Sequence, residues 1–225
     1  MLKTPSLARW LFAGAAGAAA YAFVVRPWHL HWGATEDEVK RALPGDDFIA
    51  DPQIASTHAV TINAPAAQVW PWLVQIGRGR GGFYSYTWIE NLMGLDIHNE
   101  DRIVPAFQDL KVGDVIPFDA TGFGVPVALL EPEQRLVLHG DTRTSSQGAP
   151  VVRPGEYLAV SWGFYLEPKD PQTTRLIERF RADFSPSQQN NVFYRGFLEP
   201  GAFVMERRML LGIKERAERL AALKN

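Results

Sequence analysis

YLAVSWGFYLEPKDPQTTRLIERFRADF, residues 157–184, is the stretch whose spacing decides the fold. Residues 157–166 and 174–184 are rich in β-branched and aromatic side chains, and the segment between them, EPKDPQT, carries two prolines. That pattern predicts a β-hairpin with a connection somewhat longer than the commonest turns. In the second run Arg175, Arg179 and Arg181 share one parity, and Leu176, Glu178, Phe180 and Ala182 share the other. Successive side chains of a strand point to opposite faces, so only one set can meet the core. The apolar set belongs inside, which leaves the arginines as a solvated face; Arg179 turned inward to hold a carboxylate ligand is the opposite parity. Glu178 then sits in an apolar wall, where a carboxylate must find a partner or give up its charge, and this makes it a candidate catalytic residue. Trp162 and Phe164 in the first run are core or pocket wall, two roles that alternation does not separate.

Upstream, short apolar runs at 114–118, 125–130 and 135–139 are divided by Gly, Pro and Asp and extend the hairpin into an antiparallel meander. The polar stretches 140–155 and 185–191 are the rim of a cavity or plain disorder. Residues 56–62 alternate as one further strand, with His58, Val60 and Ile62 on one parity. Asn63-Ala64-Pro65 opens a helix, with Pro65 in the first turn where its missing N–H costs nothing. Pro71 predicts a kink or break in that helix. GRGRGG at 77–82 follows a helix rather than a strand and lacks a Gly-Lys-Ser/Thr ending, so it reads as a helix terminator and turn, not a nucleotide cradle.

Residues 82–105, GFYSYTWIENLMGLDIHNEDRIVP, look like one wall of a greasy pocket. Phe83, Tyr84, Tyr86 and Trp88 offer large apolar area at low entropic cost, on a helix predicted over 84–93 and stopped by Gly94. His98 with Asp96 or Asp101 forms a candidate acid/base pair, because a carboxylate can fix the imidazole tautomer. The stronger reading of DIHNEDR is structural: Asp and Asn close turns and cap helices, and Arg102 pairs with a neighbouring aspartate. At the other end, residues 200–223 read as one long helix with Phe203, Leu210, Ile213, Ala217 and Leu220 as its apolar stripe. Strands, short helices and a long terminal helix give an α+β domain with its helices gathered on one face of a curved antiparallel sheet.

Composition narrows the function. The chain has 225 residues, a formal net charge of -2 and no run of Lys or Arg, so nucleic acid is not an expected partner. Without cysteine there is no disulfide and no thiolate site. The five histidines are scattered; His29 and His31 form the one HxH, with no nearby carboxylate on a predicted strand, and no metal or other cofactor is expected. Neither a Gly-x-Ser-x-Gly elbow, a Walker lysine, a GxGxxG after a strand nor an HExxH occurs.

LFAGAAGAAAYAFVV at 11–25 carries no charge and is flanked by Lys3, Arg9 and Arg26. It is a single N-terminal membrane anchor, short unless it begins at Leu7, or a cleaved secretory signal that would leave the domain secreted or periplasmic; a buried Ala/Gly-rich helix is the plain alternative. The expected organisation is 1–31 as anchor or signal-like segment, 32–55 as connector and 56–225 as the domain.

The order of elements, with ITINAPAAQVWPWLVQIG at 61–77 and MERRMLLGIKERAE at 205–218, resembles the helix-grip superfamily of START and Bet v 1-like proteins, which includes polyketide cyclase-like members. RPWHLHWGATEDEV, LPGDD and the 82–105 block look like a bacterial branch of that superfamily. The resemblance implies a curved sheet wrapped around the terminal helix and an elongated cavity for hydrophobic ligands, with Phe203, Met205 and Met209 facing it. The expected ligand-binding set is Phe83, Tyr84, Tyr86, Trp88, Trp162, Phe164, Phe180, Phe203, Met205 and Met209. The expected function is binding or transport of a lipid, isoprenoid or polyketide-like compound. The alternatives are a cofactor-independent cyclase, dehydratase or isomerase using His98, Asp96, Asp101 or Glu178, and a membrane-linked interaction protein without a ligand. Oligomeric state has no signature in the sequence.

Overall fold

In the computed structural model, which describes residues 14, 16–17, 19–145, 147–148 and 152–223, six antiparallel strands form one sheet in the order β1-β6-β5-β4-β3-β2. They are β1 (Ile54–Ile62), β2 (Val115–Pro117), β3 (Gly124–Glu131), β4 (Arg135–Asp141), β5 (Leu158–Asp170) and β6 (Thr173–Phe184). The meander is the predicted one, and β1 closes it by pairing with β6. The hairpin connection is tighter than its sequence suggested: β5 runs on to Asp170, which pairs with Thr173. Asp170 Oδ1 accepts from the Gln172 amide at 2.8 Å and closes the turn. Pro168 is tolerated because it lies beyond Tyr165, where pairing with β4 ends.

The helices are α1 (Arg26–Leu30), α2 (Glu36–Lys40), α3 (Ala66–Val74), α4 (Thr87–Leu92), α5 (Gln188–Asn191) and α6 (Glu199–Ala222). One face of the sheet packs on α3 and α6 through a core that includes Ile62, Val69, Leu73, Leu138, Phe164, Leu210 and Ile213. The architecture is a helix grip: a curved sheet closed by a long C-terminal helix. Gly212 lets α6 approach closely, since a Cβ there would lie 2.3 Å from the Tyr84 carbonyl oxygen. Helix α3 passes through Pro71 without a break, held by Val69, Trp72 and Leu73 in the core. Arg80 donates to the carbonyls of Ile76 (3.2 Å) and Val74 (2.8 Å), so the glycine-rich turn ends that helix as expected.

Three expectations change. The helix predicted over 84–93 shrinks to α4, because Tyr84 sits at φ 58°, outside helical space. Residues 188–191 are not loop but helix: Ser187 Oγ accepts from the Asn190 amide at 3.0 Å and starts α5, which continues through a π-helical segment (Val192–Leu198) into α6. The arginine face of β6 is not solvated. Residues 34–50 fold over it, where Leu43 and Phe48 pack on Ala59, Val137 and Ile177. Arg179 is only 5% exposed and donates to Asp46 Oδ2 at 2.6 Å and to the Arg41 carbonyl at 2.9 Å. Arg175 binds Glu38 at 2.8 Å and, with the Thr35 cap, holds that carboxyl down at about 2.

The anchor or signal expected at 11–25 falls partly on residues outside those described. Among the described residues no helix is long and apolar enough to cross a membrane. A π-helical turn (Tyr21–Val25) leads into α1. There Arg26 makes two hydrogen bonds to Glu199, of 2.9 and 2.8 Å, and ties the segment to the start of α6.

Candidate functional site

Strand parity sends Ile54, Ser56 and His58 of β1, Leu158, Val160 and Trp162 of β5, and Phe180 and Ala182 of β6 to the same face. The N-terminal half of α6 crosses that face with Ala202, Phe203, Met205 and Glu206, and α1 adds His29 and Leu30. Between these walls lies a cavity of about 310 Å³, closed further by Phe118, Phe123 and Val125 near β3 and by Tyr194 and Leu198 of the π-helical segment. Its lining is overwhelmingly hydrocarbon, as expected of a site that takes up small apolar molecules.

One polar cluster interrupts that lining. His58 and Glu178 are direct cross-strand partners, and His58 Nδ1 lies 2.9 Å from Glu178 Oε2. Trp162, one diagonal position away, donates its indole N–H to Glu178 Oε1 at 2.6 Å. The far nitrogen of His58 lies 2.8 Å from the carbonyl oxygen of His29. Both ring nitrogens therefore face acceptors, which only the imidazolium can satisfy. Burial opposes that charge, but the Glu178 hydrogen bond and charge, aided by Glu206, raise His58 to about 9.

Glu206 completes the cluster from α6, its Oε2 3.5 Å from His58 Nδ1. That imidazolium proton is committed to the nearer Glu178, and Glu206 accepts no hydrogen bond from the described residues. Its burial in an apolar cavity, reinforced by the Glu178 charge and only partly offset by His58, raises it to about 8. At neutral pH the cluster is thus an ion pair, His58 with Glu178, beside a neutral carboxylic acid. The side chains of His58, Glu178 and Glu206 offer ligand atoms within 4.8 Å of one another, yet His58 keeps no lone pair for a metal while both its nitrogens donate.

Beside the cluster, His29 is 3% exposed and neither of its ring nitrogens has a hydrogen-bond partner. Burial lowers its pKa, against the pull of Glu199, so it is neutral. The rings of His29 and His58 flank Phe203 with centroids 5.4 and 5.6 Å from it.

Of the aromatic and methionine residues expected to bind ligand, Trp162, Phe180, Phe203 and Met205 line the cavity. Phe83 stands behind it, packed edge-on against Phe118. Tyr84, Phe164 and Met209 are buried in the core, where Tyr84 donates its hydroxyl to the Trp72 carbonyl at 3.1 Å. Tyr86 precedes α4, and Trp88 is exposed on it. Glu178 is in the cluster, whereas His98, Asp96 and Asp101 are on the surface. The side chain of His98 is 82% exposed and pairs with Asp96, which also accepts from Arg78; Asp101 pairs with Arg216 at 2.7 Å.

His58 and Glu206 escaped the sequence reading, though each left a signal. His58 shares the inward parity of Val60 and Ile62. Glu206 falls on the helical stripe Phe203, Leu210, Ile213, Ala217 as its one charged member.

No family model matches the chain, and no curated protein matches it. Among solved structures it is similar to the hypothetical protein jhp0584 from Helicobacter pylori, at 13% identity over 78% of this chain and 95% of that one, with a TM-score of 0.44. It is also similar to the Polyketide_cyc-like protein Cgl2372 from Corynebacterium glutamicum, at 18% identity over 76% and 90% of the two chains, with a TM-score of 0.32. The di-domain ARO/CYC BexL from the BE-7585A biosynthetic pathway matches at 12% identity over 74% of this chain and 47% of its own, with a TM-score of 0.40. Likeness this distant carries no activity across. The helix-grip assignment rests on the strand order and on α6 themselves.

Proposed function

We propose that this protein binds a hydrophobic small molecule, of lipid, isoprenoid or polyketide-like character, between the sheet and α6. The observation that carries the reading is the cavity itself: side chains from α1, β1, β5, β6 and α6 leave about 310 Å³ of apolar space where a helix and sheet would otherwise interlock. A guest burying on the order of 300 Å² of apolar surface would gain about 7 kcal/mol before ordering costs. The test is native mass spectrometry and solvent extraction of the purified chain, beside Ala202→Trp, whose indole would occupy the cavity. A co-purifying apolar compound absent from the folded variant supports the reading; equal retention of it by both proteins, or none from any host, refutes it.

A second reading, a cofactor-independent cyclase, dehydratase or isomerase, is favoured by the proton that Glu206 holds at the cavity wall. Chemical change in the extracted compound on incubation with the protein, lost in Glu206→Gln, would establish it.

We further infer that the N-terminal segment brings the domain to a lipid surface. Phe23, Val24 and Trp28, in and just before α1, are exposed, as are Val192, Phe193 and Phe197 on the π-helical segment whose Tyr194 and Leu198 line the cavity. Flotation of the full chain with lipid vesicles is the expected result; a chain that stays wholly at the bottom of the gradient overturns it.

A further inference from the structure

We infer that the guest carries a neutral oxygen acceptor, a ketone or ester carbonyl, at the end lying against Glu206, and that the carboxylic acid of Glu206 donates its O–H to that oxygen. The inference rests on the cavity-binding reading above and names the chemistry of its ligand.

The argument is one of unmet hydrogen bonds. Around Glu206 the charged and titratable groups are His58 on β1 and Glu178 on β6, with His29 and the Arg26–Glu199 pair at the neighbouring α1 edge. His58 and Glu178 satisfy each other, Trp162 takes the remaining Glu178 oxygen, and Arg26 takes Glu199. The arginines that follow Glu206 on α6 point elsewhere: Arg207 stacks over Trp32 and Arg208 pairs with Glu215. Among the described residues the nearest cation is the His58 imidazolium, 3.5 Å away with its proton already given to Glu178, so Glu206 retains its own proton. Its side chain is 13% exposed, and it lines the cavity.

A cavity-facing O–H without an acceptor is costly, and the imidazole of His29 beside Phe203, its Nε2 3.6 Å from Glu199 Oε1, makes no hydrogen bond either. The cost at Glu206 is relieved by a guest with oxygen at this end and hydrocarbon elsewhere, and His29 lines the same cavity. An amine would relieve Glu206 only by burying a cation among Phe180, Ala182, Val160 and Met205, at far greater desolvation cost. A carbonyl introduces no charge.

Displacement of bound N-phenyl-1-naphthylamine from the delipidated full chain by decane, 2-decanone and decylamine, at pH 6.5 and 9.5, tests this. At pH 6.5 the ketone is expected to bind about tenfold more tightly than the alkane, the scale of one net hydrogen bond. At pH 9.5, with Glu206 ionised, that advantage disappears. Glu206→Gln keeps an N–H donor and should prefer the ketone at both pH values; Glu206→Leu should bind both compounds without preference. An equal response to ketone and alkane at pH 6.5, a preference surviving in Glu206→Leu, or a loss at pH 9.5 that Glu206→Gln shares would each overturn the assignment. So would a preference for decylamine abolished in Glu206→Gln, which would place a cation there. Failure of the fluorophore, alkane and ketone alike to bind would instead refute the cavity reading beneath it. Circular dichroism melts of both variants confirm that folded protein is compared.

Discussion

His58 of β1 and Glu178 of β6 face each other across the ladder, 2.9 Å apart, with hardly any of either side chain exposed. A buried pair of this kind is worth little relative to a hydrophobic pair, but breaking it strands a charge. His58→Leu should therefore destabilise the protein by about 3 kcal/mol. His58→Leu combined with Glu178→Leu should recover part of that loss, since neither charge remains buried. Urea unfolding of the two single variants and the double variant gives the coupling, and simple additivity would disprove it.

Alkaline pH should weaken the fold. His58 is raised to about 9 in the folded state, from an ordinary 6.5, so its contribution is complete below pH 6.5 and lost as pH rises to 9. Glu206, raised from 4.5 to about 8, acts in the same sense: a fold that prefers the acid form loses stability between pH 4.5 and 8. Above about pH 7, where His29 and His31, both lowered by burial, are neutral in the folded and the unfolded chain alike, His58 and Glu206 hold more protons in the native state, and the slope is negative. The melting temperature should fall from about pH 7 to 9, and less steeply in Glu206→Gln. A rising curve over that range would contradict the charge states assigned to the cluster.

On the opposite face of the sheet, Asp46→Ala leaves the buried guanidinium of Arg179 with carbonyl partners but no counter-charge. A loss of about 3 kcal/mol is expected, together with faster amide exchange over residues 34–50, the segment this pair pins down. If unfolding and exchange both match the parent, the pair is not what holds that segment.

Gly212 and Gly201, both on α6, should respond oppositely to alanine. At Gly212 the new methyl would meet the Tyr84 backbone at 2.3 Å, an overpacking cost of about 2 kcal/mol. Nothing lies within 4 Å of a Cβ at Gly201, so helix propensity acts alone and stabilises by about 1 kcal/mol. Thermal melts of the two variants test the close approach of α6 to residue 84.

Legibility followed the range of the interactions. Alternation in β6 put Glu178 inward, and the heptad-like stripe of α6 put Phe203 and Ile213 on the sheet side, because both depend on chain geometry over a few residues. Parity could not say what covers the other face: Arg179 looked solvated, and only residues 34–50, more than a hundred positions earlier, remove it from water. In the 82–105 block, composition marked a pocket, but the left-handed backbone at Tyr84 turns that ring into the core and leaves Trp88 outside.

The amino-acid order alone determined the antiparallel meander and the long terminal helix with its apolar stripe, since periodicity and turn chemistry are local. What only the tertiary structure decided is the site. His58, Glu178 and Glu206 lie far apart along the chain, and the proton affinities of His58 and Glu206 differ from those of free side chains because the fold brings the three together in an apolar cavity wall. The charge of such a group is set by its neighbours, and those neighbours exist only once β1, β6 and α6 have met.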